Sequence, residues 1–198
     1  MSNRLSCNIC GESIHPDTAA KNNGLCMPCK GGYRERIEAG KRQREEDRAY
    51  EQSAERKYWR NLVGRVHDTS EGFNGLRSEE KTYFAVSCLI GEVYIGGFDQ
   101  FFSNSSGEMY GVALAGLWEL EANVSAGLLL RAKEVLFGGR LVPVNQAERC
   151  NQMPTVGNDA APEHKQLDEL DKLFYEDPDK LGDRCKLFAI SNGLYADG

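Results

Sequence analysis

Cys7-Asn8-Ile9-Cys10-Gly11 and Cys26-Met27-Pro28-Cys29 form two C-x2-C pairs separated by fifteen residues. Two residues between thiols allow a tight turn to aim both sulfurs at one ion, and four thiolates complete the tetrahedron that zinc accepts. Gly11 and Gly31, each following a pair, are placed to ease those turns. Four sulfur ligands leave no coordination position open, so Cys7, Cys10, Cys26 and Cys29 point to structural zinc and away from catalysis at the metal. His15 is the nearest substitute ligand, but a surface-loop histidine accounts for it more simply. An iron–sulfur cluster also takes four cysteines, more often at a different spacing.

The elements that must position these cysteines are short. Residues 1–32 are too few to bury a core, and chains below about 40 residues usually fold around a metal or disulfides. With Cys26-Met27-Pro28-Cys29 running into a charged segment, the module resembles the treble-clef and zinc-ribbon families, in which a second knuckle opens a helix. Residues 33–62 (YRERIEAGKRQREEDRAYEQSAERKYWRNL) hold very few aliphatics. Glu38 stands four before Arg42, a favourable pair on a helix, but Glu51 stands four before Glu55, an unfavourable one. The expectation is a solvated helical linker, either a frayed connector or a binding arm, that begins to dock at Tyr58, Trp59, Leu62 and Val63.

Residues 63–198 carry the apolar periodicity of a compact all-helical domain, so the chain reads as mainly α. Val86, Leu89, Ile90 and Val93 fall three and four apart on one helix, with Ser78 as its expected N-cap and Gly96-Gly97 as its stop. Phe98, Phe101 and Phe102 lead to a turn at Asn104-Ser105-Ser106-Gly107. Met109, Val112, Ala113, Leu117 and Leu120 make a second stripe. Leu128, Leu129, Ala132, Val135 and Leu136 make a third, closed by Gly138-Gly139. Arg140 to Glu163 holds three prolines and little periodicity, which predicts a mobile loop. Pro162 then opens a helix faced by Leu167, Leu170, Leu173 and Phe174, and Asp179 is placed to cap a last one carrying Leu181, Leu187, Phe188 and Ile190. About five helices are expected in this body.

The composition is 40% hydrophobic and 27% charged, as in ordinary globular proteins. No apolar run approaches the roughly 18 residues of a membrane span, and the N-terminus lacks the apolar stretch of a secretory signal. Cytoplasmic residence is the expectation, and seven cysteines there favour metal binding over disulfides. Residues 61–198 carry 12 Lys+Arg against 21 Asp+Glu, a net of −9, while residues 1–60 carry 12 against 9, a net of +3. An acidic body repels phosphates, which argues against direct nucleic-acid binding by that domain. The P-loop, nucleophile-elbow and HExxH patterns are missing, and Ser78-Glu79-Glu80-Lys81 matches S-x-x-K without its companions. Cys88 has apolar neighbours that suggest a buried small residue, and Trp118 lies beside the second stripe as packing. The expectation is a protein without enzymatic activity.

Glu92-Val93-Tyr94-Ile95-Gly96-Gly97-Phe98-Asp99-Gln100-Phe101-Phe102 with Asn104-Ser105-Ser106-Gly107, and later Leu167-Asp168-Glu169-Leu170-Asp171 and Phe174-Tyr175, carry a resemblance. From about Lys81 to Tyr195 the chain resembles the bacterial DNA-mimic-protein C-terminal-domain family. That resemblance implies an all-helical domain and a mode of action in which carboxylates take the place of DNA phosphates on a DNA-binding protein. Glu163, Asp168, Glu169, Asp171, Glu176, Asp177, Asp179 and Asp183 are the residues placed to do so. Lys165, Lys172, Lys180 and Arg184 interrupt them, so an ordinary solvated acidic face is the competing reading. The expected partner is another protein, either a DNA-binding regulator or a basic toxin that the acidic body would neutralise. The remaining alternatives are an enzyme with a site beneath the Arg140–Glu163 loop and a nucleic-acid binder acting through the basic front.

Overall fold

The computed structural model describes residues 4–154 and 162–196. The chain divides into two compact units, Met1–Ser53 and Ala54–Gly198. In the first, β1 (Leu5–Ser6) and β2 (Ser13–Ile14) form an antiparallel hairpin that pairs Leu5 with Ile14. Helices α1 (Pro16–Lys21), α2 (Met27–Lys30) and α3 (Arg34–Gln52) follow. Its small core is Cys7, Ile14, Ala19 and Cys26. The cysteines thus supply much of the apolar interior that so short a segment otherwise lacks.

The segment expected as one linker over 33–62 is two helices. Ser53 is extended (φ −62°, ψ 156°) and ends α3, and α4 (Ala54–Asp68) belongs to the second unit. Leu62 of α4 is fully buried, and Tyr58, Trp59 and Val63 pack on the core, as their apolar character suggested. Ala54–Gly198 therefore carries 15 Lys+Arg against 22 Asp+Glu, a net of −7, and Met1–Ser53 carries 9 against 8, a net of +1. The basic front is a near-neutral one, because three of its cations (Arg56, Lys57 and Arg60) lie on α4.

The second unit continues through a 3-10 turn (Gly72–Gly75), α5 (Ser78–Ser103), a second 3-10 turn (Ser105–Met109), α6 (Tyr110–Glu119) and α7 (Asn123–Phe137). It closes with α8 (Gln146–Gln152), α9 (Pro162–Tyr175) and α10 (Leu181–Ser191). The all-helical expectation holds. Helix α5 is central and touches α6, α8, α9 and α10, while α7 packs on α6 and α9. Buried residues ring α5 from Thr82 to Val86 before narrowing to the Leu89 and Val93 stripe. Trp59 stacks on Phe84 at 5.3 Å, joining α4 to α5.

Gly96-Gly97 does not end α5 but kinks it. Gly97 takes φ +74°, and the helix restarts at Phe98, whose N–H donates to Asp171 Oδ1 at 2.9 Å. A Cβ on Gly97 would stand 2.2 Å from Asp171 Oδ2, so glycine is needed both for the turn and for the carboxylate's approach. Ser78 is not the N-cap: Arg77 occupies that position, and Glu80 reaches back to accept its N–H at 2.9 Å.

Side chains distant in sequence satisfy the other helix ends. Asp177, not Asp179, caps α10, accepting the Leu181 N–H at 2.8 Å. Asp179 instead accepts the Ser125 N–H in the first turn of α7 at 2.7 Å. Arg184 Nη1 donates to Leu120 O beyond α6 at 2.8 Å. The stretch expected as a loop contains α8, whose Arg149 is completely buried; residues 155–161 of that stretch lie outside the described residues. Arg149 donates to Phe102 O and Asn104 O at the end of α5 and to Pro143 O and Val144 O. Cations at helix C-termini satisfy orphan carbonyls and oppose the negative end of the dipole.

Three residues face outward against expectation, the first being Leu173 of α9, 41% exposed beside the buried Leu167, Leu170 and Phe174. Leu187 is 65% exposed, because Leu181, Cys185 and Ala189 make the buried stripe of α10. Trp118 is 52% exposed. Cys88 is half-buried, and burial pushes its thiol up to about 12.

Glu80 is the buried acid that holds α4 to α5. Arg65 donates to both its oxygens at 2.6 and 2.9 Å, and Tyr58 Oη donates at 3.1 Å. Arg65, first among these, holds the carboxyl at about 2, against an ordinary 4.5. The Glu80 side chain is 4% exposed and that of Arg65 37%, so solvent screens the pair in part, from the arginine's side. A depressed folded value means full stabilisation above about 4.5 and loss as pH falls toward 2. Discounted for that screening, the body is expected to lose about 2 kcal/mol between those limits, and Glu80→Gln should flatten that part of a urea-unfolding profile. Arg149→Met leaves the carbonyls at the end of α5 unpaired and should lower stability by roughly 3 kcal/mol at neutral pH, measured the same way.

Candidate metal centre and acidic surface

The first cysteine pair sits in the turn of the hairpin. Cys7 N–H donates to Glu12 O and Gly11 N–H to Cys7 O, both at 2.9 Å, folding the chain so that Cys7 and Cys10 face the same side. The second pair opens α2, with Cys26 as its N-cap and Cys29 in its single turn. After it, Gly32 takes the left-handed conformation (φ +70°), whereas Gly31, the glycine expected to ease the turn, stays right-handed.

The four sulfurs lie within 4.8 Å of one another, and Cys10 Sγ and Cys26 Sγ are 3.7 Å apart. Sulfurs at about 2.3 Å from one ion in a tetrahedron stand about 3.8 Å apart, so the donor set fits a metal of that kind. None is in a disulfide. The Cys26 N–H donates to Cys7 Sγ at 3.3 Å, and backbone N–H groups of Cys10 and Cys26 draw the Cys7 thiol down to about 6. Arg34 Nη2 donates to Cys26 Sγ at 3.2 Å and lowers that thiol too, while burial raises Cys29 to about 12. His15 is not a ligand: it is an exposed N-cap of α1 whose Nδ1 accepts the Asp17 N–H at 3.3 Å. Among the described residues this is the one such group of metal-ligating side chains. Sequence reasoning missed Arg34, whose only signal is its place at the first helical position, five residues beyond Cys29.

The eight acidic residues of the body do not form one array. Asp171, Asp177 and Asp179 are the helix caps described above and are partly buried. Burial, opposed by the Phe98 N–H, raises Asp171. Asp168, Glu169, Glu176 and Asp183 are exposed, and Glu163 is intermediate. Beside them stands an exposed pair absent from sequence reasoning. Tyr94 of α5 stacks on Tyr175 of α9 with centroids 5.7 Å apart, and Tyr94 meets Phe174 edge-on at 6.0 Å. The two tyrosines lie far apart in sequence, and no local pattern joins them.

The polar members of the Gly96–Gly107 motif are structural as well. Gln100 Nε2, Asn104 Nδ2 and Ser106 Oγ donate to Glu92 at 2.6, 2.8 and 3.1 Å, while Phe98, Phe101 and Phe102 are fully buried. A Cβ on Gly107 would stand 2.6 Å from Arg149 Nε. The motif therefore encodes the kink and the turn that follows it.

The fold and its surface define an acidic all-helical domain that follows a small four-cysteine module. The family described as DMP19-like protein matches residues 74–192, and the chain belongs to that family. No curated protein and no solved structure matches the chain. Among the described residues no helix is long and apolar enough to cross a membrane.

The purified chain is expected to hold one metal ion, and Cys10→Ser to lose it on gel filtration in the presence of a chelator. Elemental analysis of the eluted protein is the check.

Proposed function

We propose that this protein acts by contact and without catalysis. Its helical body occupies the DNA-binding surface of another protein, and its N-terminal module is a structural zinc site. Membership of the DMP19-like family over residues 74–192 carries this reading, since DNA mimicry implies a protein partner. The body's net charge of −7 repels duplex DNA and attracts the basic surfaces that DNA-binding proteins present. Asp168, Glu169, Glu176 and Asp183 stand free of the capping bonds that engage their neighbours, so their carboxylates are open to a partner. Zinc is the ion this donor set favours, because a closed tetrahedron of thiolates suits it and leaves nothing for substrate.

The mimic reading is tested by affinity capture at low salt. A DNA-binding protein should be recovered, released by duplex DNA and by added salt, and lost with the Asp168→Asn, Glu169→Gln, Glu176→Gln, Asp183→Asn variant. A basic toxin held equally well in the presence of DNA would overturn mimicry, as would retention by the quadruple variant.

A further inference from the structure

We infer that Arg34 is the outer-shell residue through which the metal centre holds α3, so that metal occupancy decides whether Arg34–Gln52 stays helical. The inference rests on the four-cysteine group being a metal site and concerns what that metal controls.

Helix α3 needs an external hold. It is 19 residues long, and not one of them is buried. Packing of an apolar face is the usual source of helix stability in proteins, and a solvated helix of this length is marginal because its first turn is costly to nucleate. Its surface pairs, such as Lys41 with Glu38 at 3.1 Å and Gln43 with Asp47 at 3.0 Å, each contribute a few tenths of a kcal/mol.

The nucleus lies at the second cysteine knuckle. Gly32 N–H donates to Cys29 O at 3.2 Å and Tyr33 N–H to Pro28 O at 3.0 Å, so the chain leaves α2 already turned. Arg34 is the first residue of α3, and its side chain is 18% exposed. The fork divides between the centre and the helix. Nη2 donates to Cys26 Sγ at 3.2 Å, while Nη1 donates to Glu38 Oε1 at 3.1 Å, one turn on, and lies 3.7 Å from Glu12 Oε1. One planar group thereby fixes the first turn of α3 to a ligand sulfur.

Charge explains why the metal matters. A divalent ion inside four thiolates leaves an excess of negative charge, and a guanidinium on one sulfur offsets it. Such outer-shell partners orient ligands and hold the ion, and their loss typically lowers metal affinity about 10–100-fold. Without the ion nothing holds the four sulfurs in one place, the Cys26 sulfur is no longer fixed beside Arg34, and the first turn of α3 loses its anchor. A lysine could supply the charge but not the two-way fork.

The test uses the full chain under reducing conditions, zinc-loaded and chelator-stripped, with zinc content measured in each. Hydrogen exchange is followed by mass spectrometry, and zinc transfer to a chromophoric chelator is timed. Stripping should speed exchange across residues 34–52 by about tenfold or more. Arg34→Ala should still load one zinc, transfer it about 10–100-fold faster, and exchange quickly over 34–52 even when loaded. Arg36→Ala removes the same charge from an exposed position on the same helix and should behave as wild type. Equal exchange over 34–52 with and without zinc would overturn the inference without any variant. So would an Arg36→Ala transfer rate matching that of Arg34→Ala, since net charge alone would then suffice. A wild-type chain that binds no zinc would overturn the metal site itself, and the coupling with it.

Discussion

The contact between Asp171 and the Phe98 N–H is the one on which the helical body turns. Helix α5 runs through the centre of that body, and its two halves point differently because Gly96-Gly97 breaks the hydrogen-bond ladder. A break inside a core exposes backbone donors with no water to satisfy them, and each such group costs about 1–3 kcal/mol unless paired. Asp171 of α9 supplies the pairing and ties the kink to the neighbouring helix. Gly97 has to lack a side chain for that carboxylate to arrive. The three phenylalanines that follow then point into the core, and the Glu92 network fixes the turn after them.

The same logic governs the charges. Part of the body's acid and base is engaged at helix ends: Glu80, Asp171, Asp177 and Asp179 at N-termini, Arg149 and Arg184 at C-termini. Each places charge where the helix dipole favours it. A count of carboxylates along the sequence therefore overstates what a partner can meet. The exposed group on α9 and α10 is smaller, and it adjoins a stacked tyrosine pair of the kind that often anchors protein interfaces.

The first unit solves a different problem. Its core is four residues, two of them cysteines, so apolar burial cannot hold it. The hairpin and the α2 turn gather four sulfurs within 4.8 Å of one another, a donor set that offers one ion coordination in place of that missing core. Helix α3, with nothing buried, borrows its start from the same centre through Arg34.

Local spacing by itself determined the four-cysteine group, because two C-x2-C turns bring thiols together whatever the rest of the chain does. It also determined most helices of the body, α4 and α8 excepted, since the three-and-four periodicity of Val86, Leu89 and Val93, or of Leu128, Leu129 and Ala132, needs only one apolar neighbour to become a buried face. The tertiary structure alone decided where α3 ends and the body begins, that Gly96-Gly97 bends a helix rather than closing it, and which carboxylates are free. Those outcomes depend on partners far apart in the chain: Asp171 is 73 residues from Phe98, Asp179 is 54 from Ser125, and Arg149 is 47 from Phe102. A helix end states in sequence that it needs a cap, but only the packed fold says which side chain provides it.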